Sequence, residues 1–178
     1  MLLRLWPPIA VAAMVVLGLA VRSGSTAVDD WFHQYRHSPA KWLLFFTDPR
    51  VLAILLAGTL VVALSQRRWR LAVVTALSPT IAIALVQLLK PLFDRRSDGA
   101  LAYPSGHTTT MVVVLGIFAL VARCALWSVL VAVSFCLLGM IGQGVTYHYF
   151  TDTIGGVLLG TAIVCIAALT LRRVPHRT

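Results

Sequence analysis

Lys90 to His107 reads KPLFDRRSDGALAYPSGH, and together with a later stretch, HYFTD from His148 to Asp152, it interrupts a sequence that is otherwise almost continuously apolar. The two stretches hold two of the five histidines and three of the six carboxylates. What surrounds them decides the fold class. The chain has 178 residues, of which 59% are hydrophobic and only 12% charged, against about 25% charged in an ordinary soluble domain. It reads as an all-α, polytopic membrane protein. At about 20 residues per span, one membrane-embedded domain covering residues 1–178 fills the length.

Six apolar segments are expected to cross the membrane: Leu3–Val21, Val51–Leu64, Leu71–Leu89, Thr108–Val121, Leu126–Gly144 and Thr151–Leu171. The first also has the shape of a secretory signal, but five more apolar segments follow it, so it reads as a membrane helix with Pro7 and Pro8 in its first turn. Pro79 is expected to kink the third span. The fourth is short, which places its first turn near Ser105. Residues 23–48, rich in aromatics, suit the membrane interface. Within them Asp29, His33 and His37 are four residues apart, a spacing that on one helix face could ligate zinc. The plainer reading is an interfacial amphipathic turn.

The formal charge of +9 does not point to nucleic acid, because no basic patch with interleaved aromatics is present. The cations lie at helix ends and in short loops, where topology and lipid headgroups account for them. With six spans both termini share a side. That side carries Arg4, Arg67, Arg68, Arg70, Arg123, Arg172, Arg173 and Arg177 and no carboxylate, whereas the other carries all the aspartates. The arginine cluster after the second span and the basic tail place both termini in the cytoplasm and the polar stretches outside. Cys124, Cys136 and Cys165 lack metal-ligand spacing and read as buried small hydrophobes, not as a disulfide framework.

Lys90, Arg95 and Arg96 supply fixed positive charge, and arginine matches a phosphate with paired bonds. Pro104-Ser-Gly-His107 runs directly into an apolar helix, so backbone N–H groups and the positive end of the helix dipole should face an anion there. Ser105 suits the cap of that helix, and Gly106 permits close backbone approach. His148 and Asp152 are one helical turn apart. The carboxylate can therefore hold one ring nitrogen and leave the other as nucleophile or base. Two histidines beside an anion cradle permit attack on phosphorus by one and protonation of the departing oxygen by the other.

At these residues the sequence resembles the type 2 phosphatidic acid phosphatase family, membrane enzymes acting on lipid phosphates and polyprenyl phosphates. Lys90 matches the start of the family's first motif. Pro104 to His107 completes the second, and His148 with Asp152 retains the end of the third, with Thr151 and Gly155 in the usual surroundings. The resemblance implies His148 as nucleophile forming a phosphohistidine, Asp152 as its orienting partner and His107 as general acid. Lys90 and the backbone of Ser105, Gly106 and His107 would hold the phosphate, with no metal or other cofactor. It also implies a lipid-phosphate substrate at the outer face of the cytoplasmic membrane, with a lean towards polyprenyl carriers.

The first motif's later arginine falls on Ser97, with Arg95 and Arg96 adjacent as the expected substitutes at the phosphate. The third motif's Ser-Arg falls on Ile141 and Gly142, leaving Gln143 as the nearest polar side chain. A lost charge-assisted phosphate contact costs about 1.5–3 kcal/mol. A catalytically impaired, lipid-binding scaffold is therefore the alternative to a phosphatase. A small transporter using His107 and Asp152 as a polar pathway is a third reading.

Overall fold

The computed structural model describes residues 2–97 and 99–172. Asp98, Arg173 and Arg177, part of the charge pattern above, lie outside the described residues. Seven α-helices are described: α1 Leu2–Ala20, α2 Ala27–His33, α3 Pro49–Ser65, α4 Trp69–Phe93, α5 Gly106–Val121, α6 Leu126–Thr146 and α7 Phe150–Arg172. A 3₁₀ segment, Pro39–Thr47, precedes α3, and a hairpin of β1 (Arg96–Ser97) and β2 (Ala100–Leu101) follows α4. The helix starts follow local chemistry. Thr26 and Asp29 form a reciprocal capping box on α2. Asp48 accepts from the N–H groups of Arg50 and Val51 ahead of α3, with Pro49 just inside. Asp94, in left-handed geometry at φ 44°, closes α4.

Five helical segments are long and apolar enough to cross a membrane, one of them combining the 3₁₀ segment with α3; α5, at 16 residues, is shorter. The protein is thus an all-α, multi-pass membrane protein. The shorter α5 packs against α3, α4, α6 and α7. Met111, Val113, Leu115 and Ile117 of α5 are all buried, as expected of a helix that is hydrophobic all round. The outer helices turn Val16, Ile54, Leu88 and Leu126 outward, toward what would be lipid.

Two expectations need correction, and a third segment gains a packing partner. Helix α4 continues to Phe93, through Pro91, so Lys90 lies in its last turn and not in a loop. Within residues 23–48 the 3₁₀ segment is pressed onto α6. A Cβ at Gly142 would lie 2.7 Å from the Leu43 carbonyl carbon and 2.8 Å from the Leu44 nitrogen. The cysteines are free, but Cys124 is exposed and Cys136 and Cys165 only half-buried; all three line an apolar groove of about 430 Å³ beside α5, α6 and α7.

The contact that shapes the site end of the bundle is between α5 and α7. Gly156 and Gly160 are spaced as in a small-xxx-small helix interface. A Cβ at Gly156 would lie 2.8 Å from the Ser105 carbonyl oxygen, and one at Gly160 2.8 Å from Val112 Cβ. The absence of those methyls lets the backbones meet, and the Ser105 N–H donates to the Asp152 carbonyl at 3.1 Å. Tyr103 wedges beside this junction, fully buried, its hydroxyl donating to the Met14 carbonyl of α1 at 2.5 Å. Gly156→Val is expected to lower stability by about 1–3 kcal/mol through overpacking, read as thermal unfolding in detergent. Gly58→Ala, at a position with nothing within 4 Å, should be neutral or stabilising by about 1 kcal/mol.

Candidate active site

The ends of α4, α5, α6 and α7 converge on one pair of imidazoles. His107 stands in the first turn of α5, behind the Ser105 cap. His148 lies in the tight connection after α6, its N–H donating to the Gln143 carbonyl at 3.0 Å. The two ring centroids are 6.0 Å apart, with the planes at 55°. His107 is exposed to the cavity, while the His148 side chain is only 13% exposed. Burial first, then the neighbouring His107 and Lys90, pull the His148 imidazole down to about 4. It is therefore neutral at ordinary pH, with a lone pair free on one nitrogen.

Asp152 sits behind His148. Its Oδ2 and the His148 Nδ1 are 3.9 Å apart, and both are buried atoms with no hydrogen-bond partner among the described residues. The separation is longer than a hydrogen bond, as is common in catalytic pairs before substrate binds. The other oxygen, Oδ1, accepts from Arg95 Nη1 at 2.6 Å. Arg95 Nη1 also donates to Thr151 Oγ1 at 2.7 Å, and Nη2 to the Gly24 carbonyl at 2.8 Å and Asp29 Oδ2 at 2.9 Å. The guanidinium lies over the Tyr149 ring, 4.4 Å from its centroid. Asp29 further accepts from the Thr151 N–H at 2.9 Å. Burial alone would raise its carboxyl, but bonds from Thr151 and Thr26 outweigh that and hold it below its usual value.

Two cavities of about 530 Å³ border the histidine pair. One, open toward the polar end, is lined by Thr47, Asp48, Ser97, Gln143 and Tyr147 as well as both imidazoles. The other runs from the imidazoles down between α3 and α4, along Leu52, Leu56, Ile83 and Val86. Lys90 and Gly106 line this second groove, and the Lys90 ammonium donates to the Leu101 carbonyl at 2.7 Å.

Of the residues expected from the sequence, His107, His148, Asp152, Lys90 and Gly106 come together. Three expected phosphate contacts do not. Arg96 is 64% exposed on the hairpin and pairs with Asp94 at 3.3 Å. Arg95 is 1% exposed and occupied by Asp152 and Asp29, so it lies behind the site. Ser105 is fully buried: its hydroxyl makes the expected cap, accepting from the Thr108 N–H at 3.4 Å, but its own backbone N–H is spent on the Asp152 carbonyl at 3.1 Å. Nor do Asp29, His33 and His37 share a helix face, because α2 ends at His33 and Asp29 turns inward. Gln143 is buried, its Nε2 donating to Thr47 Oγ1 at 2.7 Å. Asp29 itself is the participant that the sequence reading placed elsewhere. Its capping box with Thr26 marks a helix start, but nothing local shows that its carboxylate meets Arg95, far along the chain.

The placement of His148 gives a direct expectation. In ring-selective NMR of the free protein it should titrate near pH 4, well below the ordinary 6.5. His107→Ala should move that value upward by removing a positive neighbour. Titration of His148 at or above 6.5 in the unmodified protein would contradict the arrangement.

No protein-family model matches the sequence, and no curated protein matches it. The structure is similar over its full length to the crystal structure of a transmembrane PAP2-type phosphatidylglycerolphosphate phosphatase from Bacillus subtilis. The TM-score is 0.62 and the identity 16%, with 100% of each chain covered. At that identity the likeness establishes a shared fold, that of a multi-pass membrane protein.

Proposed function

We propose that the protein is a lipid-phosphate phosphatase that acts on a membrane-anchored phosphate or diphosphate through a phosphohistidine on His148, without a metal ion. The observation that carries this reading is the pair of imidazoles 6.0 Å apart at the head of an apolar groove between α3 and α4. The fold likeness supports it at the level of architecture.

His148 Nε2 attacks phosphorus while Asp152 Oδ2 accepts from Nδ1–H. The bond from phosphorus to the lipid oxygen breaks, and His107 gives that oxygen its proton. In the second step His107, now neutral, takes a proton from the water that attacks the phosphohistidine. Inorganic phosphate leaves and both histidines are restored. A near-attack distance of about 3 Å and a hydrogen bond of about 2.8 Å, laid end to end, already match the centroid separation. The phosphorus therefore sits to one side of the line between the rings, in the cavity both border. Lys90 and the N–H groups at the start of α5 face it there, and the lipid tail follows the apolar groove.

Substrates of the polyprenyl type and phospholipid phosphates both suit this shape. The fold neighbour acts on phosphatidylglycerolphosphate, so that lipid belongs in the assay. The arginines at the opposite end of the bundle, Arg67, Arg68, Arg70, Arg123 and Arg172, support an extracytoplasmic site with cytoplasmic termini.

Phosphate release by protein in detergent is expected to survive EDTA and to vanish in His148→Ala. His107→Ala should slow an alkyl phosphate by about 10²–10⁴-fold and a diphosphate far less, since phosphate leaves readily without a proton. Equal losses on both would remove the general-acid role. Ala53→Trp, which fills the groove from an exposed position, should reduce turnover of a long-chain lipid phosphate by about tenfold or more. The same change should leave a water-soluble aryl phosphate unaffected.

One observation favours a second reading, a lipid-phosphate binder without turnover. Lys90 is the single lysine or arginine lining the two cavities at the imidazoles among the described residues. Retained lipid-phosphate binding with no phosphate release from any lipid would select that reading.

A further inference from the structure

Arg95 has five N–H donors, and four are already engaged on the four bonds of its two terminal nitrogens. It is 1% exposed, between two carboxylates that are 0% exposed. One of those carboxylates belongs to α2, outside the helices that carry the imidazoles. Arginine prefers to grip a carboxylate with two parallel bonds. Here it does not, because Asp29 and the Gly24 carbonyl hold Nη2, so only Nη1 reaches Asp152, and only at Oδ1. Oδ2 is left without a partner, 3.9 Å from the equally unpartnered Nδ1 of His148.

We propose that Asp29 and Arg95 are positioning residues for His148. Asp29 splits the guanidinium so that Arg95 fixes and neutralises one oxygen of Asp152 while the other stays available to the imidazole. The inference rests on the phosphatase reading for its kinetic consequence, although its structural consequence stands apart from turnover. Without the Asp29 charge, Nη2 is released to take Oδ2, and His148 loses the acceptor that fixes its Nδ1–H tautomer. Helix α2, which borders neither cavity, thereby becomes part of what sets the nucleophile.

The test uses full-length protein in detergent with Asp29→Asn and Arg95→Lys, each checked for a monodisperse, cooperatively unfolding fraction. Two readouts are taken: kcat against competitive inhibition by inorganic phosphate, and the ring ¹⁵N shifts of His148. Both variants are expected to lose about 10- to 100-fold in kcat. Their affinity for inorganic phosphate should stay within about twofold, as for a residue that does not bind the phosphoryl group. The ring shifts should move from the Nδ1–H tautomer toward a mixture. Thr151→Val, which removes one hydroxyl from the clamp and leaves both ion pairs, should move them part of the way and serves where a charge variant fails to fold. Unchanged ring shifts in the folded variants would overturn the proposal. So would a loss of phosphate affinity at unchanged kcat, which would make Arg95 a phosphate ligand after all. Should the unmodified protein release no phosphate from any lipid, the phosphatase reading fails, while the ring shifts still decide the clamp.

Discussion

Backbone contact between α5 and α7 is the constraint on which the site depends. Two glycines one helical turn apart remove the methyl groups that would hold these helices at ordinary spacing, so the start of α7 meets the cap of α5 directly. In a bilayer, helix association gains little from apolar burial, and close van der Waals packing takes its place. The same approach sets the distance between the two imidazoles, because one hangs from the first turn of α5 and the other lies four residues ahead of Asp152 in α7.

Charge is then arranged around that junction in an unusual proportion. Arg95, Asp29 and Asp152 are all buried, and a buried ion pair is not in itself a strong source of stability, since desolvation opposes the attraction. Its value here is geometric. The cluster ties the segment before α2, the start of the hairpin and the first turn of α7 to one guanidinium, three pieces of chain that lie far apart in sequence. The sum of its formal charges is negative, which leaves Lys90 as the lysine or arginine lining the cavities at the imidazoles among the described residues.

Much of this was legible beforehand. The alternation of apolar runs with polar breaks marks every long helix, and the start of α5 follows from Ser105 and the glycine after it. His107, His148, Asp152 and Lys90 were recognisable because their spacing and order are local patterns that survive without a structure. Arg95 and Arg96 were not assignable, since adjacent residues on a short hairpin face opposite ways and composition does not say which is buried. Asp29 was opaque for a different reason. Its role depends on a contact with residues 66 and 122 positions away, and a capping-box carboxylate reads the same whether or not an arginine waits on its other side. The packing of the 3₁₀ segment was hidden because its aromatics signal only an interface, whereas what fixes it is the bare face of α6 at Gly142.

That bare face also decides how a lipid can arrive. With the main chain of residues 43 and 44 lying directly on α6 at Gly142, no side chain can be inserted there to reach inward. Among the described residues, the apolar cavity at the imidazoles runs between α3 and α4. Under the phosphatase reading, a molecule anchored in the leaflet slides its head through this doorway without lifting its tail into water, and its dephosphorylated product withdraws by the same path.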